Sequence, residues 1–218
     1  MLLAIDTATR WAGIALYDDQ GLHMEHSWRT KANHTVELMP FIDSACEQQG
    51  LRPQELQAVA VSLGPGSFTG LRVGLSLGKG LAMALSIPIL GVPTLDAVAY
   101  AHRRELLPVC AVLPAGRGRW CVGSYETGAG KWQRCGDFRL RSTADLVAEL
   151  EDATLVCGET DAALISELQQ AAPRGVVVVR PAASARRPAY LAELAWARFV
   201  AGESDDLESL APIYLQQS

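Results

Sequence analysis

The chain has 218 residues, of which 49% are hydrophobic and 20% charged, and its formal net charge is −5. This composition is ordinary for a globular protein, and the length allows one large core or two small ones. The acidic balance argues against a stand-alone nucleic-acid-binding protein, because such a protein needs a basic surface to neutralise phosphates.

Neither the N-terminus nor the cysteines indicate export. Met1 leads into an apolar run without a basic start or a cleavage site, so we expect no signal peptide. The five cysteines are odd in number and widely spaced, which is typical of buried side chains in a reducing compartment. The apolar run 73–90 contains glycines, Lys79 and Pro88, so we expect no membrane span. We therefore predict a cytoplasmic protein.

The first hundred residues alternate between strand and helix patterns. Apolar and β-branched runs predict strands over 2–5, 11–17, 22–29, 57–63 and 88–91. Apolar periodicity predicts helices over 35–49, 70–86 and 95–104, the first of them ending at Gly50.

The second half repeats this order. We predict strands over 109–113, 119–126, 131–140, 154–157 and 176–179, and helices over 143–151, 160–171 and 187–201. Three strands, a helix, a strand and a helix, given twice, predict an α/β protein with two ribonuclease-H-like lobes, each a mixed sheet flanked by helices. This is the actin/Hsp70-like (ASKHA) architecture, with an N-terminal lobe over 1–105 and a reduced C-terminal lobe over 106–218. A single mixed sheet is the alternative.

A glycine-rich loop lies between the strand 57–63 and the helix that follows. Loop amides and a helix N-terminus in this layout bind anions. A tight turn after the first strand adds a carboxylate and two hydroxyls, which either hold magnesium and a phosphate or bond their own backbone. Both interpretations stay open. The residues of this vestigial nucleotide or phosphate loop are Asp6, Thr7, Thr9, Gly64, Gly66 and Ser67.

No catalytic set can be assembled from the sequence. A two-lobed nucleotide enzyme needs a second carboxylate where its second lobe begins, and the segment 113–119 contains no acid. None of the four histidines is spaced i, i+4 from another, and no GxSxG, HExxH or CxxC motif occurs. We therefore predict neither a catalytic residue nor a metal site.

The helix 70–86 is apolar nearly all round, which is typical of a helix covered on both sides. If Val73, Leu77 and Leu81 face the sheet, Leu71 and Leu75 fall on the opposite face. The helix 35–49 has a core stripe of Leu38, Ile42 and Cys46 with further apolar residues beside it, and Pro40 is expected to kink or restart it. Either the chain itself or a partner covers the outer faces, and we favour a partner. The predicted interface residues are Val36, Met39, Pro40, Leu71, Leu75, Gly78 and Ala82.

Five segments resemble the TsaB family, also called YeaZ: MLLAIDTATRWAGIALYD at 1–18, HTVELMPFID at 34–43, GPGSFTGLRVGLSLGKGLA at 64–82, PILGVPTLDAVA at 88–99 and APIYLQ at 211–216. The likeness is strong over the first hundred residues and thin over the second lobe apart from the C-terminal motif. It implies the actin/Hsp70-type fold and a part in forming threonylcarbamoyladenosine at position 37 of tRNAs that read codons beginning with adenine.

The resemblance also implies a non-catalytic scaffold. TsaB-like proteins are paralogues of the transferase TsaD, whose His-x-x-x-His metal pair is matched here by Thr94 and Val98. Pairing with TsaD through the first two helices is expected, with the ATPase TsaE joining the pair and a homodimer forming when TsaD is missing. Contact with tRNA would be indirect. ATP or ADP with magnesium is expected only in the assembled complex, and threonylcarbamoyl-adenylate from a separate synthase is the expected substrate.

The sequence departs from the family at one place. Many relatives have Asp-Ala-Arg where this chain has Pro114-Ala115-Gly116-Arg117, which argues against tight nucleotide binding by the chain alone. Two enzymatic alternatives remain. One is a nucleotide-dependent phosphotransferase of the sugar-kinase kind, supported by the loop and Asp6. The other is a metallopeptidase of the glycoprotease group, which the missing histidine ligands oppose.

Overall fold

The computed structural model describes residues 1–30, 34–128, 131–150, 153–171 and 175–215. The chain falls into two compact units, the first formed by Met1–Ala97 with Arg187–Tyr214 and the second by Val98–Arg186 with Leu215–Ser218. This division differs from the predicted lobes 1–105 and 106–218, because the segment after residue 186 returns to the first unit.

The first unit is built on a five-stranded mixed sheet of order β3-β2-β1-β4-β5. β1–β2 and β2–β3 pair antiparallel, whereas β1–β4 and β4–β5 pair parallel. The strands are β1 Leu2–Asp6, β2 Trp11–Asp18, β3 Gly21–Arg29, β4 Ala58–Gly64 and β5 Ile89–Pro93. The helices are α1 His34–Gln48, a 3-10 turn Pro53–Glu55 and α2 Phe68–Leu85, and the last helix of the unit, α6, spans Pro188–Val200. A further helix, α3 Thr94–Tyr100, contains the boundary after Ala97.

The alternation of side chains along β1 and β4 places helices on both faces of this sheet. Leu3 and Ile5 pack on the face that α1 and α2 cover. Leu2 and Ala4 lie on the opposite face, in one cluster with Leu191 and other α6 residues. Both faces of the two central strands are therefore buried, which explains why these strands are apolar throughout.

α6 corrects the predicted boundary of the second lobe. Its residues Leu191, Ala192 and Ala195 are fully buried against small side chains of the first sheet, so it packs there rather than on the second sheet. The chain after α6 is held to β5 by Arg198, whose guanidinium donates to Gly91 O at 2.9 Å and to Asp205 Oδ1 at 3.1 Å. Contacts between segments about a hundred residues apart thus decide which of the two units the chain after residue 186 belongs to.

The second unit has a sheet of order β11-β10-β6-β7-β8, and β9 also pairs with β7. The strands are β6 Val109–Gly116, β7 Arg119–Gly128, β8 Lys131–Arg134, β9 Arg139–Ser142, β10 Leu155–Gly158 and β11 Val177–Val178. The helices are α4 Thr143–Glu149 and α5 Ala162–Ala171, and their apolar sides pack on residues of β6 and β7 such as Val112 and Val122.

The single strand predicted over 131–140 is two strands. Gly136 adopts a φ of +75°, which interrupts the strand, and β8 and β9 pair with different parts of β7. Without β9, the strands of the second sheet are, in chain order, β6, β7, β8, β10 and β11, and they lie in the order β8-β7-β6-β10-β11. This is the same arrangement as β3-β2-β1-β4-β5 in the first sheet, with the third strand at one edge and the fifth at the other. The two units therefore repeat one topology, as the repeated order of elements in the sequence predicts. Among the described residues, no helix is both long and apolar enough to cross a membrane.

Candidate functional site

The glycine-rich loop packs directly on the turn that joins β1 to β2. The Ser67 amide donates to Ala8 O at 2.6 Å. A Cβ on Gly66 would lie 2.3 Å from that same oxygen, and a Cβ on Gly70 would lie 2.2 Å from Thr7 O. The glycines are therefore required by the close approach of two backbones within the first unit.

Three hydroxyl groups fix the loop from different sides. Thr7 Oγ1 donates to Gly70 O at 2.7 Å, and Ser67 Oγ caps α2 by accepting from the Gly70 amide at 3.3 Å. On the other side, the Gly64 amide donates to Oγ1 of the fully buried Thr94 at 3.0 Å. Amides that an anion site would offer to a ligand are here bonded to the protein itself.

Asp6 and Thr9 bond backbone amides of the β1–β2 turn. Asp6 is 3% exposed, and its Oδ1 accepts from the Ala8 amide at 3.0 Å. Thr9 Oγ1 accepts from the Trp11 amide at 3.1 Å. The structure thus brings the six predicted loop residues to one place, and these bonds of Asp6 and Thr9 are those of ordinary turn-forming residues.

The positions that match the metal pair of the transferase lie at the start of α3. Thr94 Oγ1 accepts the hydrogen bond from the Gly64 amide, and the side chain of Val98 is buried, with 7% exposed. In the part of the chain that the structure describes, no three His, Cys, Asp or Glu residues are grouped so that they could hold a metal ion.

The prediction that four residues of α2 face outward toward a partner is wrong. Leu71, Leu75, Gly78 and Ala82 are buried against the sheet of the first unit, so they do not present a surface to a partner. The reason is the glycine spacing: a Cβ on Gly78 would lie 2.4 Å from Val61 Cγ1. The face that carries these glycines lies on the sheet because it lets α2 approach closely, and Val73, Leu77 and Leu81, which the prediction assigned to that face, are partly buried beside it.

A second signal in the sequence marks the true outer face of α2. Arg72, Ser76 and Lys79 recur at helical spacing, and Arg72 and Ser76 are exposed while Lys79 is partly exposed. Exposed apolar side chains, Phe68 and Met83, lie near the two ends of the helix. The sequence did not single out Phe68, because the predicted helix began at residue 70, nor Arg72, because only apolar residues were used to assign the faces of that helix.

α1 is arranged as predicted. Leu38, Ile42 and Cys46 form its buried stripe, and α1 is one helix that contains Pro40 rather than two. On its outer side Val36 is 74% exposed and Met39 is 37% exposed, and Pro40 is exposed as well. Among the described residues of the first unit, these three therefore belong to the exposed surface of α1.

An apolar groove of about 630 Å³ lies between α1 and α2. Its apolar lining is Leu38, Met39, Phe68, Val73 and Leu77. Its polar lining is Thr69, Arg72 and Ser76. We call this feature the α1–α2 groove.

An aromatic–arginine cluster stands at one end of the α1–α2 groove. The Arg72 guanidinium carbon lies 3.8 Å from the Phe68 ring centroid. Tyr214, from the chain after α6, packs against Phe68 with ring centroids 5.1 Å apart and ring planes tilted by 32°, and its hydroxyl accepts from Arg72 Nε at 3.1 Å. No local pattern of residues indicates this cluster, because Arg72 and Tyr214 lie 142 residues apart.

A family model described as "TsaD: tRNA N6-adenosine threonylcarbamoyltransferase" matches residues 28–215. The chain belongs to the TsaD family. The chain is 37% identical over 125 residues to the tRNA threonylcarbamoyladenosine biosynthesis protein TsaB of Bacillus subtilis. The aligned residues cover 57% of this chain and 55% of that relative. It is also 37% identical over 127 residues to the protein of the same name from Escherichia coli, covering 57% and 54%. The chain thus spans about half the length of the curated relatives it matches, and these matches confirm the predicted resemblance to TsaB.

Solved structures agree with the fold. The chain superposes on YeaZ from Pseudomonas aeruginosa with a TM-score of 0.80 and 24% identity, covering 98% of this chain and 99% of that one. It superposes on the ethanolamine utilization protein EutJ from Carboxydothermus hydrogenoformans with a TM-score of 0.50 and 13% identity, covering 87% and 88%. The predicted actin/Hsp70-like fold of this TsaD-family chain is thereby confirmed.

Proposed function

We propose that this chain is a non-catalytic subunit for the formation of threonylcarbamoyladenosine at position 37 of tRNAs, and that it docks the transferase TsaD on its α1–α2 groove. The observation that carries the proposal is the groove itself, an exposed apolar surface between two helices of the first unit. Exposed apolar patches on globular proteins commonly mark sites of protein association. The names of the TsaB relatives support the choice of pathway.

The glycine-rich loop has a structural role in this proposal. Its amides at Gly64, Ser67 and Gly70 already have acceptors within the first unit. Tight binding of a nucleotide by the chain alone would require these bonds to be exchanged. We therefore assign any ATP, ADP or magnesium to the assembled complex, in which TsaE is the further partner.

The proposal also covers self-association, contact with tRNA and the place of action. Without TsaD, a second copy of the chain would cover the exposed apolar side chains Val36 and Met39, which gives a homodimer. Contact with tRNA would be indirect, since the net charge of −5 does not favour phosphate binding. Such a complex would act in the cytoplasm.

The test is calorimetric titration of the chain with the TsaD of the same organism. The variant Met39→Glu introduces a charge into the apolar lining of the groove, so we expect binding to weaken by about 30-fold or more. Val200→Glu is the matched control, since Val200 is 67% exposed on α6, on the opposite face of the sheet. Wild-type affinity in the Met39→Glu variant, with both variants folded, would contradict the proposal. Leu71 and Leu75 are unsuitable for this test because a charge at either buried position would disrupt the core.

A further inference from the structure

The aromatic–arginine cluster defined above is already ordered in the free chain. Arg72 lies one helical turn after Phe68 on α2, and its guanidinium is held on one side by the Phe68 ring and through Nε by Tyr214 Oη. Tyr214 is itself positioned by the chain beside it, since the Ile213 amide donates to Leu63 O at 2.7 Å. An arginine fixed in this way loses little conformational entropy when it binds a further group.

The contacts described for Arg72 involve the face of its guanidinium and its Nε atom, and not Nη1 or Nη2. Within the described residues, neither atom has a hydrogen-bond or ion-pair partner, and no carboxylate pairs with this side chain. Other arginines of the first unit differ in this respect: Arg52 pairs with Glu55, and Arg187 pairs with Glu25. Arg72 therefore offers two parallel donors, the arrangement that a carboxylate accepts.

The acidic charge of the first unit makes Arg72 selective for a partner that brings a single carboxylate. The segments 1–97 and 187–214 contain eight basic and fourteen acidic residues, so the first unit is acidic as a whole. Arg72 is the cation in the described lining of the groove, and the other lining residues are apolar or carry hydroxyls. A partner with many acidic side chains would be repelled, whereas one carboxylate placed at Arg72 would be attracted.

The shape of the groove favours a helix as the occupant. Its lining on α2 runs from Phe68 to Leu77, which is about 14 Å at the usual helical rise. That length matches two to three turns of a partner helix that inserts apolar side chains between α1 and α2.

We propose that the α1–α2 groove receives an amphipathic helix of the transferase subunit, and that one Asp or Glu of that helix pairs in a bidentate manner with Nη1 and Nη2 of Arg72. This inference rests on the proposed function. The apolar lining provides the contact area, and the ion pair at one end fixes the direction and register of the helix. Tyr214 contributes by holding Arg72, so it is a positioning residue.

The test measures binding of the transferase TsaD to wild type and to variants of the intact chain. We expect Arg72→Glu to weaken binding by about 30-fold or more, and Arg72→Lys by about fivefold, since lysine cannot form the planar bidentate pair. Tyr214→Phe keeps the ring but removes the acceptor for Arg72 Nε, so we expect a loss of about threefold. Arg52→Ala is the control, because Arg52 is exposed and does not line the groove, and its affinity should stay within about twofold of wild type.

Two further readouts separate an ion pair from a structural effect. Raising the salt concentration should weaken the wild type more than the neutral variant Arg72→Gln. In addition, one Asp→Lys or Glu→Lys change on the transferase should restore binding of Arg72→Glu. If wild type does not bind the transferase at all, the proposed function fails. A different outcome is that wild type binds the transferase, Met39→Glu weakens binding, and Arg72→Glu binds like wild type. The groove would then remain the binding site, and the proposed ion pair between Arg72 and a carboxylate of the transferase would be contradicted.

Discussion

The contact of α2 with the β1–β2 turn predicts opposite effects of one substitution at two glycines of the same helix. A Cβ on Gly74 would lie 2.2 Å from Thr7 Oγ1, the hydroxyl that donates to Gly70 O at 2.7 Å. A Cβ on Gly80, in the same helix, meets nothing within 4 Å. Gly74→Ala must therefore displace a buried hydroxyl, whereas Gly80→Ala adds a methyl group in open space.

The magnitude follows from three contributions. Overpacking at Gly74 costs about 1–3 kcal/mol, and loss of the buried Thr7 hydrogen bond costs about 1 kcal/mol. Replacing glycine by alanine inside a helix gains about 1 kcal/mol at either site. We expect Gly74→Ala to lower the free energy of unfolding by about 2 kcal/mol, and Gly80→Ala to raise it by about 0.5–1 kcal/mol.

Urea unfolding followed by tryptophan fluorescence measures both effects. With a slope of about 2 kcal/mol per M, the midpoint of Gly74→Ala should fall by about 1 M and that of Gly80→Ala should rise slightly. A midpoint for Gly74→Ala at or above that of wild type would refute the argument that close packing of α2 on the turn requires the glycine. An equal loss in Gly80→Ala would refute it as well, since the effect would then not depend on the Thr7 contact.

Three further predictions concern the loop, the chain after α6 and a buried thiol. Thr94→Val leaves the Gly64 amide without its acceptor, so we expect a loss of about 1–3 kcal/mol in urea unfolding, and Thr94→Ser should recover most of it. Arg198→Ala removes the bonds to Asp205 and to the β5 backbone, so the chain after α6 should become more sensitive to limited proteolysis while the rest of the first unit stays protected. Burial raises the pKa of the Cys110 thiol to about 12, so this cysteine should resist iodoacetamide at pH 8 in the native protein and react after unfolding in urea; rapid alkylation in the native state would contradict its burial.

Local patterns in the sequence predict most elements of the fold. β1, β2 and β4 are apolar runs of strand length, and the described helices begin and end within a few residues of their predicted bounds. Ser142 caps the helix that follows it, as its position before an apolar run suggests, whereas Ser67, predicted as a loop residue, also proves to be a cap. These features depend on neighbouring residues, which is why the sequence alone reveals them.

The errors come from contacts between distant segments. The outward face of α2 depends on how closely the helix approaches Val61 and Thr7, and large apolar residues could in principle face either side. α6 returns to the first sheet because small residues such as Ala4 and Ala60 leave room for it. Neither fact appears in any local window of sequence. The same holds for Tyr214, which reaches Arg72 only through the folded path of the chain.

The most direct test is the formation of threonylcarbamoyladenosine in a reconstituted reaction. The reaction contains TsaD, TsaE, tRNA and threonylcarbamoyl-adenylate, with wild type, Met39→Glu or Val200→Glu of this chain. The account predicts product with wild type and with Val200→Glu, little product with Met39→Glu, and none when TsaD is left out. Product from this chain without TsaD, or full product with Met39→Glu, would contradict a non-catalytic subunit that acts through its α1–α2 groove.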